Sequence, residues 1–321
     1  MLPLVVAGGH VMSIEFFIFF PIALIFSFLL DIGGHDDDAG DNRGMHMDGS
    51  SGDDSLVGGE ANDSITAGAG EDVVLGMGGN DGIWAGEGDD GAYPDIDNMT
   101  DEELSDLIFG GDTAALQEFV TNNTGFGADG GAGNDYVDGG PGDDVVTGGA
   151  GNDVVRGSSG HDFLVDLEGA NTLNGGFGDD ELWALDHDGA NAADLLQGWE
   201  GDDDLLGDDG DTMEGGDGVD SFYSVWQPGD AAVTITDFDP TTESLFINTS
   251  DLPASPLLQL VDLSDGSGCE VQLNGETLAV LQGVSAAEVL YGNGGQNELW
   301  LLDRVGGQYY QPVLANMALA S

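Results

Sequence analysis

From Gly49 the chain can be cut into nines without a gap, as GSSGDDSLV, GGEANDSIT, AGAGEDVVL, GMGGNDGIW and AGEGDDGAY, ending at Tyr93. The phase resumes at Gly130 with GGAGNDYVD, GGPGDDVVT, GGAGNDVVR, GSSGHDFLV, DLEGANTLN and GGFGDDELW, ending at Trp183. A third stretch starts at Gly189 as GANAADLLQ and GWEGDDDLL, shortens to GDDGDTME, and recovers as GGDGVDSFY up to Tyr223. About fourteen units are legible. One short unit cannot bury an apolar face alone, so a period held this long restricts the chain to architectures in which neighbouring repeats stack.

Each unit divides into two halves. Its first, second and fourth positions are small, its sixth is aspartate and its eighth is apolar. Glycine tolerates the positive-φ backbone of tight turns, which assigns the opening positions to a turn. The last three positions read as a short strand whose central side chain faces inward. Leu56, Ile65, Val74, Ile83, Val137, Val146, Val155, Leu164, Leu173, Leu182, Leu196, Leu205 and Phe222 are therefore the expected core stripe.

Charge constrains the partners. The 321 residues include 62 acidic side chains against Arg43, Arg156 and Arg304, with no lysine, for a formal net charge of -59. Self-repulsion on that scale opposes compaction unless cations neutralise it. Nucleic acid is excluded, because phosphate contacts need clustered Lys or Arg, and an anionic membrane surface is disfavoured for the same reason. A disordered acidic chain is the plainer alternative, but regularly placed glycine and apolar residues argue against it. Cys269 is the only cysteine, which removes disulfides and cysteine-built metal sites.

The sixth position offers a hard carboxylate oxygen beside the carbonyls of a glycine-rich turn. Ca²⁺ takes roughly six to eight such oxygens in flexible geometry, whereas Mg²⁺ is more demanding. Zinc would want imidazole or thiolate, and His10, His35, His46, His161 and His187 have no paired ligand spacing. The pattern GGxGxDxUx, with U apolar, resembles the repeat of RTX proteins. That resemblance covers a little over a third of the chain. It implies a mainly β fold, a parallel β-roll or β-helix solenoid with two nonapeptides per coil, and several Ca²⁺ ions between successive turns. It assigns as ligands Asp54, Asp63, Asp72, Asp81 and Asp90 in the first block, Asp135, Asp144, Asp153, Asp162 and Asp180 in the second, and Asp194, Asp203 and Asp220 in the third. Asn171 takes the sixth place in DLEGANTLN, where the opening glycines are also missing, so a weak or empty site is expected there. GDDGDTME reads as a corner rather than a site.

The blocks divide the chain into an apolar segment over 1–30, an acidic tether over 31–48, a first roll block over 49–93, a helical insertion over 94–129, a second roll block over 130–223 and a C-terminal β cap over 224–321. Within the insertion, Thr100 with Glu103 reads as a helix N-cap and capping box, and Asp112 as a second cap. The apolar run 11–30 is about long enough to span a bilayer. It lacks a basic start and a small-residue cleavage site, so an uncleaved anchor is the leading expectation, with an unusual signal sequence or a buried helix as alternatives. In the last segment Val233, Ile235 and Phe238 alternate, Leu245 and Ile247 share a strand, and Asn274-Gly275 marks a two-residue hairpin turn. This flank resembles the C-terminal region of bacterial RTX proteins, which implies an uncleaved signal read by type I secretion machinery.

No HExxH, no GxSxG and no lysine is present, so zinc proteolysis, serine hydrolysis and Schiff-base chemistry lack their residues. The expected function is calcium binding in a secreted or surface-tethered structural or adhesion-type protein, extracellular or at the cell surface, that folds after export. The alternative is an extracellular polysaccharide-acting enzyme that uses the roll as a scaffold. An ice-binding roll is disfavoured because the strands carry no regular threonine ladder.

Overall fold

A computed structural model describes residues 44–92, 125–185, 192–249, 257–291, 299–303 and 318–319. The chain is mainly β, and two sheets of 13 and 10 strands face each other along its length. Strands alternate between the sheets, so each neighbour within a sheet lies two units away. Val155 pairs with Leu173 in the larger sheet and Val146 with Leu164 in the smaller, both in parallel register. This is the expected parallel β-roll with two nonapeptides per coil.

Every apolar side chain of the expected stripe from Ile65 to Phe222 is fully buried, while Leu56, in the first coil, packs partly buried against them. A full coil advances 18 residues, as in the pairing of Val154 with Thr172, so the eighth positions of alternate units stack directly above one another. Burial of this row is the main apolar contribution to stability, at roughly 25 cal/mol per Å² removed from water.

Most strands of the repeats are longer than three residues, although Ser55–Val57 and Val73–Leu75 are not. Tyr136–Pro141, Val154–Ser159 and Thr172–Phe177 each run through the end of one unit and into the first three positions of the next. Between Tyr136–Pro141 and Val145–Ala150 only Gly142, Asp143 and Asp144 turn. The reason is backbone accounting: the backbone groups at positions one to three still need hydrogen-bond partners, and the next coil supplies them. Gly140 and Gly142 have φ of 111° and 144°, which a side chain would strain.

Coils on either side of the phase break stack without a gap. Ile83 pairs with Val137, Val74 pairs with Ala128, and Gly91–Ala92 meets Gly125–Phe126 in antiparallel register. The helices expected from Thr100 and Asp112 lie outside the described residues, as do the apolar run 11–30 and the greater part of the acidic tether. Among the described residues no helix is long and apolar enough to cross a membrane.

Beyond Tyr223 both sheets continue. Val233–Ile235 and Ser244–Thr249 add parallel strands, and Gly268–Leu273 with Glu276–Gln282 forms the expected antiparallel hairpin. Its turn residues Asn274 and Gly275 have φ of 53° and 92°, as a type I′ turn requires. A short helix, Ala286–Tyr291, was not foreseen, although its capping box was readable: Ser285 Oγ accepts from the Glu288 N–H at 3.3 Å, and Glu288 Oε2 accepts from the Ser285 N–H at 2.8 Å. On the outer face of the smaller sheet, Val145, Phe163, Val165, Trp183, Leu185 and Leu206 form a second buried cluster. All but Leu185, which follows its unit by two residues, sit at seventh and ninth positions, which point away from the roll interior.

Candidate metal centres

The aspartates at position six lie in two ladders, one in each row of stacked turns. In one, the backbone N–H of each residue donates to the side-chain Oδ1 of the next, through Asp63, Asp81, Asp135, Asp153, Asn171, Asp194 and Asp211. In the other, the same bond links Asp54, Asp72, Asp90, Asp144, Asp162, Asp180, Asp203 and Asp220. The bonds measure 2.5–3.0 Å. All 13 aspartates assigned from the sequence fall in these ladders, together with Asn171 and Asp211.

Each ladder bond uses only one carboxylate oxygen. Oδ2 of Asp72, Asp81, Asp90, Asp135, Asp144, Asp153, Asp162, Asp180, Asp203 and Asp220 is buried with no hydrogen-bond partner. Such an oxygen costs several kcal/mol if it stays anionic and unpaired (roughly 1–3 even for a neutral group). In the units that open with glycine it faces the space that this residue leaves. A Cβ on Gly130 would stand 2.8 Å from Asp135 Oδ2 and 2.5 Å from the Gly148 carbonyl oxygen of the next coil. At Gly58 the equivalent neighbours are Asp63 Oδ2 and the Gly76 carbonyl oxygen, both at 2.5 Å. The first-position glycine thus keeps open a cradle lined by one carboxylate oxygen and a carbonyl.

Burial pushes these carboxyls up, partly offset by the ladder hydrogen bond and increased by neighbouring aspartates. Asp162 is raised to about 9 and Asp144 to about 7. Asp203 is also raised to about 7, and Asp81, Asp90, Asp135 and Asp153 to about 6. For Asp180, raised to about 7, His161 acts in the opposite direction. Rows of buried acids that lack a counter-charge are the electrostatic signature of a place for cations. Among the described residues no group of three or more His, Cys, Asp or Glu gathers as a ligand set. The donors at each cradle, a carboxylate oxygen and a turn carbonyl, are hard oxygens, which fit Ca²⁺ and not zinc. The rings of His46 and His161 are exposed.

The N-terminal ends of the ladders differ from their middles. Asp54 Oδ2 accepts from Ser50 N and Oγ at 2.6 and 2.8 Å, and Asp63 Oδ2 from Gly59 N at 2.6 Å. Their own turns occupy the oxygens that deeper coils leave free.

Two features departed from the sequence reading. GDDGDTME is not a corner: the lost residue comes from its turn, so Asp211 stays in the ladder and Met213 in the core. Asp211 Oδ2 accepts from Asp208 N at 2.7 Å, and burial raises the carboxyl to about 9. Counting back two residues from the core side chain, rather than forward from the glycines, would have found it. Asp166, at the first position of DLEGANTLN, was passed over because that place is normally glycine; it is 1% exposed, and its Oδ2 has no hydrogen-bond partner.

In comparison with known proteins, the model of the RTX calcium-binding nonapeptide repeat, in four copies, matches residues 48–83, 72–93, 129–164, 156–186 and 188–212. No curated protein matches the chain in sequence.

Proposed function

We infer that this RTX repeat protein, whose repeats are calcium-binding units folded as a β-roll, is a structural or adhesion-type protein of the cell exterior that folds when calcium becomes available. The observation that carries this reading is the series of orphaned Oδ2 oxygens along both ladders. Without cations these carboxylates repel one another and lose hydration on folding, so the extended chain is favoured. Bound calcium supplies the missing positive charge, and the oxygens that already point into the cradles become part of its coordination shell. Affinities of extracellular calcium modules are on the order of 10⁻⁴ to 10⁻³ M. The carboxylates then stay uncompensated in a low-calcium cytoplasm and are neutralised outside the cell. The position-six aspartates are proposed as the ligands. Export through type I secretion machinery and anchoring through residues 11–30 belong to the same proposal.

The test is far-UV circular dichroism of the full chain during calcium titration, with magnesium as the control. A cooperative coil-to-β transition with calcium alone is expected. An unchanged spectrum, or an equal response to magnesium, would overturn the reading.

A further inference from the structure

We propose that Asp166 and Asp153 together form a dicarboxylate calcium site at the one step of the ladders where the sixth position is not acidic, and that this site binds calcium more tightly than the ordinary cradles. The inference rests on the calcium reading above and names the site that would fill first.

Asn171 keeps the ladder bond but not the charge. Its Oδ1 accepts from Asp153 N at 2.9 Å, and its Nδ2 donates to the Gly169 carbonyl at 3.4 Å, so it has no free oxygen to offer. Five residues earlier, the first-position glycine is replaced by Asp166. Its strand, Phe163–Asp166, places it on the inward side together with Leu164. A Cβ on Gly148 would stand 2.6 Å from Asp153 Oδ2 and 2.6 Å from Asp166 Oδ2, so both oxygens converge on one cradle. Each oxygen is buried without a hydrogen-bond partner, and each residue is 1% exposed. Asp166 Oδ1 makes a weak contact, accepting from Glu168 N at 3.3 Å. Burial, then the charge of Asp153, pushes the Asp166 carboxyl well up, and Asp194 adds to this, while the amides of Glu168 and Gly148 oppose it. An acid placed here without a cation would cost the fold, and glycine or alanine fills the same position elsewhere, as at Gly148 and Ala67.

Two carboxylates in place of one raise the affinity of an oxygen site for a dication, and ligand charge count is among the means by which calcium proteins tune affinity over several decades. The expected gain over the ordinary cradles is about tenfold.

The experiment is a calcium titration of the full chain at neutral pH against a competing chromophoric chelator, with circular dichroism at saturating calcium as the check on folding. The wild type should show one ion that binds about tenfold tighter than the rest. Asp166→Asn should abolish that class and leave the weaker ions in place. The double variant Asp166→Gly with Asn171→Asp rebuilds the ordinary repeat, and it should regain the ion in the weaker class. A wild type with only one weak class, or a tight class that survives in Asp166→Asn, would overturn this inference while leaving the calcium reading intact. Absence of any calcium binding would overturn that reading and the inference together.

Discussion

Asp90 donates its backbone N–H to Oδ1 of Asp144 at 2.8 Å across 54 residues of sequence, and Asp72 makes the same bond to Asp90 across 18. The aspartate ladder therefore takes no account of the interruption in the repeats. Its geometry is set by the stacking of coils, and the intervening chain enters and leaves at one place.

That place is narrow, because Ala92 and Gly125 are cross-strand partners. Replacing residues 93–124 by Asn-Gly should close a two-residue hairpin there and leave both sheets in register. The expected result is a calcium-induced β spectrum like that of the full chain, with a thermal midpoint in saturating calcium changed by no more than a few degrees. Loss of the transition would mean that the removed segment is needed for the coils to stack.

Asp144→Asn separates the two oxygens of one ladder carboxylate. Asparagine keeps an Oδ1 for the Asp90 N–H but removes the charge that burial penalises. In chelator, as pH is lowered from 8, the variant should gain β structure at a pH no lower than the wild type does. In saturating calcium it should be less stable by about 1–3 kcal/mol, the size of a lost charge-assisted contact. Circular dichroism in chelator and denaturant titration in calcium test for this reversal; a loss under both conditions would place the value of Asp144 in its ladder bond alone.

The raised carboxyls fix the sign of the pH response without metal. A group such as Asp162, about 9 in the fold against an ordinary 3.8, binds more protons folded than unfolded at intermediate pH. Stability is then fully present below the ordinary carboxylate range. It declines as pH rises from about 4 and is lost through the folded values of about 6 to 9. In chelator, β content should increase as pH falls from 8 towards 5. Calcium added at pH 5 should release the protons that the metal-free fold holds, measurable in weakly buffered solution. A metal-free chain whose β content instead rises with pH would contradict this.

At the second position of the unit, Met77, Ser158 and Trp199 have φ of 80°, 88° and 85°, where most other units place glycine. Met77 is 50% and Trp199 55% exposed, so their side chains recover little by packing. Met77→Gly and Trp199→Gly should each raise stability in calcium by about 1 kcal/mol through relief of backbone strain, less the entropy glycine adds to the unfolded chain. Ser158→Gly should gain less, because Ser158 Oγ donates to Asp138 Oδ1 at 2.7 Å. Lower melting midpoints for the Met77 and Trp199 variants would show that these side chains contribute contacts that outweigh the strain.

How much of this was legible depends on distance along the chain. The roll, the buried row from Ile65 to Phe222 and the hairpin turn at Asn274-Gly275 follow from local pattern, since period, side-chain alternation and turn chemistry act over a few residues. Asp211 was hidden because the turn of GDDGDTME absorbs the missing residue and the count from its glycine fails. The outer cluster around Phe163 and Trp183, with rings 4.9 Å apart, was hidden because the repeat pattern marks only the inward apolar position.

The sequence by itself determined the period, the acid at the sixth position and the apolar residue two places later, because each is a requirement that one turn or one strand imposes on its own residues. Only the tertiary structure decided which oxygen of each aspartate is spent on the neighbouring coil and which is left facing a cradle. It also brought Asp166 to Asp153, although Asp166 occupies a position that the repeat reserves for glycine. Those outcomes depend on coils stacked 18 or more residues apart, and no local pattern encodes what a side chain will meet across that separation.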